Sequence, residues 1–494
     1  MLLRPNIVPS SSKTKILRYA SSYTQFINGD WTSAAADVIE VENPSTHEIL
    51  AHVPKGTPGD AELALSAAKE AQVSWEAKAA CERGQVLKNL ANLMAEKKDF
   101  LAKTLSDEQA KVLPLAKVEV DASIEYLNYY AGFARIYEGE IIQSDDPMEQ
   151  IYLHRIPLGV SVGICPWNFP LFVMMRKITP ALLTGCTVVV KVSEYTPISS
   201  FEIAKLFNDA GVPNGVINVV TGEGDSIGQA LVESDVPAII SMTGSTAVGQ
   251  KIMKAASSNL TKVNLELGGK APVVVMDDCD IDLAVEATWA SRVIYSGQVC
   301  NCAERVYVQN SIADEFIDKL VKKMASTKVG MPETEGADMC GLINPTQLEK
   351  VAGMVERAKQ SGAEVCTGGS INQSMPGYHY EPTVIVNAKQ SDEIVQKEVF
   401  GPVLPVLQFN DLDEAFALAN DSEYGLTSSI FTQNAATVHR AMKEFKFGET
   451  YINRNHFEAI QGFHAGLRKS GIGGTDGKHG LYEYLGTRAI YWKN

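Results

Sequence analysis

Six short apolar runs recur between residues 159 and 276, at 159–164, 187–192, 215–220, 238–242, 263–267 and 271–276. They are short and rich in Val, Ile and Leu. Runs of that kind are strands buried on both faces, and strands joined by helices form a parallel sheet with helices packed against it. After Arg305 the rhythm resumes: helical spacing at 312–326, 346–361, 412–420 and 434–445, strands at 404–409, 425–432 and 449–453. The expected fold is α/β, with two parallel lobes. A chain of 494 residues has ample length for both. Neither an internal repeat nor a low-complexity linker is present.

Ahead of the strands the pattern is helical. A helix capped by Asp60 is expected to carry Leu63, Ala67, Ala71 and Trp75 on one face, and a second to carry Leu87, Leu90 and Met94. An aromatic stripe at 120–137 (Tyr126, Tyr129, Tyr130, Phe133) reads as core or as a subunit contact. Residues 1–22 are basic and serine-containing, without an acid before Asp30. They have the character of a mitochondrial presequence or of a plain N-terminal extension. The net charge of −15 disfavours nucleic acid and anionic membranes as partners. No apolar run approaches the roughly 20 residues a membrane helix needs, and eight scattered cysteines suit a reducing compartment. A soluble cytoplasmic protein is expected, or a matrix protein if residues 1–22 are a presequence.

The candidate chemistry centres on Gly297-Gln298-Val299-Cys300-Asn301-Cys302. The helical pattern 282–295 precedes it and a strand, 305–308, follows. A thiol on a glycine-loosened junction between two rigid elements is both exposed and held, as a nucleophile must be. Cys300 is otherwise a small buried hydrophobe. With Cys302 it supplies only half of a tetrahedral metal set, so no metal is expected. Glu266, between leucines and before Gly268-Gly269, is poorly solvated. Its pKa should rise and suit a general base; the alternative is an edge residue facing solvent. Asn168, in Pro166-Trp167-Asn168-Phe169-Pro170, can offer its amide to an oxyanion or simply form a rigid corner. Gly244 to Gly249 feeds a helix N-terminus, where a pyrophosphate can sit, or is an ordinary strand–helix turn. Glu194, three residues past Lys191 at a strand end, can accept from both hydroxyls of an adenosine ribose and would repel a 2′-phosphate. Both residues could equally be exposed loop charges. Glu398 and Phe400 could grip a ribose and pack on a flat ring.

In this order along the chain, these motifs resemble the NAD(P)-dependent aldehyde dehydrogenase superfamily, from about Tyr23 to the C-terminus. The runs 297–308 and 447–481 are similar to the branch that acts on lactaldehyde and glycolaldehyde. The resemblance implies NAD-dependent oxidation of a small hydroxyaldehyde to its acid, with Cys300 as nucleophile, Glu266 as base, and Asn168 with the Cys300 N–H as oxyanion hole. It implies a coenzyme site of Ile164, Pro166, Trp167, Lys191, Glu194, Gly224, Gly228, Gly244, Ser245, Val248, Gly249, Leu267, Glu398 and Phe400. Substrate residues would be Arg176, Glu458 and His464. It further implies a coenzyme-binding unit (23–138 and 157–266), a catalytic unit (267–480), and an arm (139–156 and 481–494) that pairs subunits into a dimer or tetramer. A semialdehyde dehydrogenase, with Arg176 clamping a distal carboxylate, is the alternative within the family; a non-catalytic binding or structural protein is the alternative outside it. The chain departs from the family at Tyr295, where Asn is usual two residues before the Gly-Gln pair.

Overall fold

A computed structural model describes residues 21–33 and 37–493. Two large sheets organise the chain. The first has eight strands, in the order Gly471–Ile472, Lys262–Glu266, Ile239–Thr243, Ser161–Ile164, Val188–Lys191, Ile217–Val220, Phe26–Ile27, Asp30–Trp31. Its five inner strands are parallel and both flanks are antiparallel. The second has seven, in the order Glu364–Thr367, Thr383–Val386, Val403–Phe409, Ala303–Gln309, Ala271–Val275, Thr427–Phe431, Glu449–Ile452, parallel except for the first pair. The doubly covered parallel lobes expected from the apolar runs are therefore present. One strand crosses between lobes in sequence: Gly471–Ile472, inside 267–480, is bonded into the first sheet beside Lys262–Glu266.

Two small sheets complete the fold. Leu485–Lys493 pairs along its whole length with Glu149–Pro157, which also pairs with Glu140–Gln143. Ile141, Tyr491 and Trp492 are exposed on this sheet. The presequence reading falls mostly on residues 1–20, which lie outside the described residues. Ser21–Ser22 form a short strand beside Ala51–His52.

The helical layer differs in detail from its expectation. The helix Pro58–Glu76 is capped by Thr57, whose hydroxyl accepts from the Asp60 N–H while the Asp60 carboxylate accepts from the Thr57 N–H. Asp60 is thus the third helical residue of a capping box, not the cap. Leu63 lies on the solvent side, 61% exposed, and the buried stripe runs through Ala61, Ala64, Leu65, Ala68 and Trp75. Small alanines let this helix approach the sheet, and a leucine is left outside. The aromatic stripe belongs to Leu113–Gly132 and the following turn Phe133–Arg135; Tyr126 and Tyr130 are fully buried, and so belong to the core. Pro170–Thr184 is buried on every side except at Phe172. A helix so enclosed carries Arg176 and Lys177 into the interior, where each needs charge compensation.

Trp75 joins this helical layer to the enclosed helix Pro170–Thr184. Its ring is inaccessible to solvent and its indole N–H donates to Leu182 O at 3.1 Å. Trp75→Ala leaves a cavity, while Leu182 O keeps the Gly185 N–H as its donor. It should cost about 3–5 kcal/mol, read as a lower urea midpoint by circular dichroism; an unchanged midpoint would contradict this packing.

Candidate active site

The site forms where strand ends of the two sheets meet. Glu266 is the last residue of Lys262–Glu266, and the chain passes through Leu267-Gly268-Gly269 directly into Ala271–Val275 of the other lobe. A Cβ on Gly268 would lie 2.5 Å from Glu398 Oε2, and one on Gly269 would lie 2.7 Å from the Cys300 carbonyl oxygen. Only glycine allows so close an approach here. Asn168 sits in the corner between Ser161–Ile164 and Pro170–Thr184. Its Nδ2 donates to Gln298 O at 3.0 Å and its Oδ1 accepts from the Phe169 N–H at 3.1 Å. The amide is thereby oriented, with its second N–H left over.

Cys300 follows Ile281–Val293 and a tight turn, and lies just before Ala303–Gln309. It is half-buried, whereas Cys302 is fully inside. The two thiols have separate environments: Cys302 Sγ sits 3.0 Å from Arg292 Nη2 and 2.9 Å from Val299 O. The buried-hydrophobe reading fits Cys302, and Cys300 is the accessible one.

Glu266 is 4% exposed, and neither carboxylate oxygen has a hydrogen-bond partner. Burial pushes its pKa up to about 7, against the pull of His464, Lys177 and Arg176. His464 Nε2 lies 3.6 Å from Glu266 Oε2 and within hydrogen-bond reach of the Cys300 side chain. Its Nδ1 is bonded to Glu449 at 2.5 Å. Burial works against the imidazolium, but Glu449 outweighs it and holds the ring's pKa well above the usual value. Lys177 is buried with its Nζ unpartnered, and burial lowers its pKa to about 8.

Arg176 is paired twice. It grips Asp476 through Nε at 3.0 Å and through Nη2, and donates from Nη2 to Glu458 at 2.9 Å. Glu458 in turn accepts from Asn301 Nδ2, one residue past the thiol. Arg176, Glu458 and His464 therefore do converge beside Cys300. Asp476, Lys177, Glu449 and Asn301 join them and were missed in the sequence. Asp476 and Glu449 are lone acids far from any motif, and Lys177 hides in a helix that reads as apolar core. Asn301 stood next to the thiol, and only its place in the chain could have singled it out.

On the other side of the site, Gly244 and Ser245 form the turn into the helix Thr246–Ala256. Ser245 Oγ caps it by accepting from the Val248 N–H at 3.4 Å. Gly249 packs so closely on Leu267 that a Cβ would come within 2.6 Å of it. Below this turn lies a cleft of about 420 Å³ lined by Ser245, Thr246, Lys350, Glu398 and Lys469, among others. Glu398 accepts from the Gly269 N–H at 2.9 Å, and burial raises its pKa to about 7. Phe400, with φ 56°, sets its ring edge-on to Trp167 at 5.5 Å. Ile164 ends its strand, with Pro166 and Trp167 half-buried beyond it. Lys191 Nζ is bonded to Glu194 at 2.9 Å at a neighbouring strand end, so these are not free loop charges. Gly224 and Gly228 bracket a π-helical turn after Ile217–Val220.

A buried charge cluster supports both sides. Glu304 accepts from Lys270 Nζ (2.7 Å), Arg292 Nη1 (2.8 Å), Val399 N (3.0 Å) and Phe400 N (3.1 Å). Burial opposes its charge, but Lys270 and Arg292 prevail and hold its pKa at about 2. Arg292 also donates to Gly297 O in the Cys300 turn. One carboxylate thus ties the Glu398–Phe400 loop to the Cys300 turn.

A half-exposed thiol, a desolvated carboxylate and an oriented amide come together beside a cleft headed by a helix N-terminus, where the two α/β lobes meet. The aldehyde dehydrogenase family pattern matches residues 31–490. The lactaldehyde dehydrogenase of Escherichia coli (strain K12) is 49% identical over 471 residues, 95% of this chain and 98% of that protein. Its crystal structure superimposes with a TM-score of 0.95 over 96% of this chain and 100% of that one. A betaine aldehyde dehydrogenase from Staphylococcus aureus, solved in complex with NAD+, superimposes at 0.94 with 35% identity, over 96% of this chain and 95% of that one. The chain belongs to the aldehyde dehydrogenase family, and it is an enzyme of that kind.

Glu304→Ala would leave Lys270 and Arg292 buried without a counter-charge. It should cost about 3–5 kcal/mol, seen as a lower urea midpoint; a wild-type midpoint would mean the cluster carries no strain-free pairing worth keeping.

Proposed function

We propose that the protein oxidises small hydroxyaldehydes, of the size of lactaldehyde and glycolaldehyde, to their carboxylic acids with NAD as oxidant. The observation that carries the substrate class is the polar wall beside Cys300. Arg176, Glu458, Asn301 and His464 meet there, and a hydroxyl next to the aldehyde carbon would find donors and acceptors. An apolar alkanal would offer that wall no hydrogen bond. The high identity to a lactaldehyde dehydrogenase supports the same reading. The semialdehyde alternative is weaker. A distal carboxylate would find Arg176 already neutralised by Asp476 and Glu458.

The residues fit a dinucleotide. The helix N-terminus at Ser245 and the Gly249–Leu267 contact leave a smooth cradle for a pyrophosphate. Lys191 and Glu194, paired at a strand end, would hold the adenosine ribose, and the Glu194 carboxylate would disfavour a 2′-phosphate. Glu398 and Phe400 would hold the nicotinamide ribose and ring. When bound, the nicotinamide supplies the hydride acceptor.

The chain's own residues do the rest. The Cys300 thiolate attacks the aldehyde carbon to form a thiohemiacetal. Asn168 and the Cys300 N–H stabilise the oxyanion, each donor contributing about 3–4 kcal/mol. His464, held charged by Glu449 and set beside Glu266, would orient the substrate hydroxyl. Loss of hydride leaves a thioester on Cys300. Glu266 then takes a proton from the water that attacks the thioester carbon, and the C–S bond breaks with Cys300 leaving as thiolate, which frees the acid. The exposed apolar residues of the small sheet at Leu485–Lys493 support a dimer or tetramer joined through that arm. Eight free cysteines support a reducing compartment such as the cytoplasm, and among the described residues no helix is long and apolar enough to cross a membrane.

Cys300→Ala should abolish NADH formation from an aldehyde panel while cofactor binding persists; residual turnover would refute the thiol route. Glu266 is a base only when ionised, so turnover should fall about tenfold per pH unit below about 7 and level off above it. Glu266→Gln should remove both the step and the activity; a retained step would assign it to another group. Arg176→Leu should cut kcat/KM for lactaldehyde and glycolaldehyde about 10–100-fold relative to propanal. An unchanged ratio would sink the substrate assignment.

A further inference from the structure

Tyr295 stands where the family usually has Asn, and its backbone is unusual. It has φ 45° and ψ 41°, and Ser296 follows at φ 54° and ψ 33°. Left-handed backbone costs a bulky residue about 1–2 kcal/mol, whereas Asn adopts it readily. Tyrosine at this place therefore has to be held by its side chain. Its hydroxyl donates to Gln109 O at 3.0 Å, and its ring meets Phe169 edge-on at 6.0 Å. The ammonium of Lys111 lies 4.5 Å from its ring centre.

Lys111 is inaccessible to solvent. Its ammonium donates to the Asn168 carbonyl at 2.8 Å and to Glu119, and sits 3.7 Å from the Phe169 ring centre. The other Glu119 oxygen accepts from the Leu171 N–H at 3.1 Å, at the start of the helix that follows the Asn168 corner. A single stretch, 109–111, thus grips the corner bearing Asn168 through Lys111 and the turn leading to Cys300 through Tyr295. On the far side the Asn168 amide donates to Gln298 in that same turn. The ring of contacts is closed.

We propose that Tyr295 and Lys111 are positioning residues that lock the Asn168 corner to the Cys300 turn, so that the two oxyanion donors stay aimed at one point. The inference rests on Asn168 and the Cys300 N–H being those donors. Both residues lie behind the donors and act only through them. Misplacing a donor weakens stabilisation of the tetrahedral oxyanion without weakening ground-state binding.

The test compares Lys111→Met, Tyr295→Leu and Tyr295→Phe with wild type, Asn168→Ala and Cys300→Ala, using the full chain with NAD. Three rates are read: aldehyde oxidation, hydrolysis of p-nitrophenyl acetate, and alkylation of Cys300 by iodoacetamide. Ester hydrolysis passes through an oxyanion without hydride transfer, and alkylation needs no oxyanion hole. Lys111→Met and Tyr295→Leu should lose about 10–100-fold in kcat for both oxidation and ester hydrolysis, short of the 10²–10³ seen on deleting a donor outright. Tyr295→Phe, which keeps the ring but loses the hydroxyl, should lose less. The KM for NAD and the alkylation rate should stay within about twofold, as expected when only transition-state stabilisation is lost. A parallel fall in alkylation and NAD binding would mean general disorder of the site and overturn the inference, as would unchanged kcat. If Lys111→Met does not fold, the two Tyr295 variants decide. If Asn168→Ala itself leaves both rates intact, the oxyanion assignment fails; if it collapses them and the Tyr295 variants do not, only the clamp is wrong.

Discussion

Glu266 is an ionisable group taken out of water and given no hydrogen bond. Much of the surrounding architecture serves that condition. A carboxylate in such a place is stabilised only by charges held at a distance, and here they come from the enclosed helix Pro170–Thr184 and from His464. The balance leaves the group near neutrality, able to take a proton and give it back. A direct ion pair would have driven the pKa down and held the carboxylate permanently charged; complete isolation would have kept it protonated.

Neutralising those distant charges takes further buried acids. Arg176 is matched by Asp476 and Glu458, and His464 by Glu449. A separate set, Glu304 with Lys270 and Arg292, lies beneath the thiol and the Glu398–Phe400 loop. Buried ion pairs add little net stability over apolar packing. Their use here is geometric: Glu304 makes four directed bonds and fixes two loops that lack regular hydrogen bonding of their own.

The apolar runs made both lobes legible, because strands buried on two faces leave no other reading. Cys300, Glu266 and Asn168 were legible because each is a polar residue where the pattern calls for a turn or an apolar side chain. Leu63 misled because a leucine at helical spacing reads as core, while the alanines beside it do the packing. Asp476, Glu449, Lys177 and Lys111 were invisible for a different reason. Each acquires its meaning from groups that only the fold brings near, such as Asp476 from Arg176, and local pattern holds no trace of that. The strand Gly471–Ile472 was hidden likewise: two residues are too short for any periodicity.

That two-residue strand has a bearing on synthesis. Lys262–Glu266 is an edge until Leu265 and Glu266 pair with Ile472 and Gly471, and Leu267 N finds Ser470 O at 2.8 Å. A nascent chain emerging from the ribosome can assemble the rest of the first lobe early. The strand ending in Glu266 stays open to unwanted pairing until some two hundred further residues have been made. Glu266 thus acquires its surroundings late in translation, and fragments that stop short of residue 470 would combine a nearly complete lobe with a sticky flank.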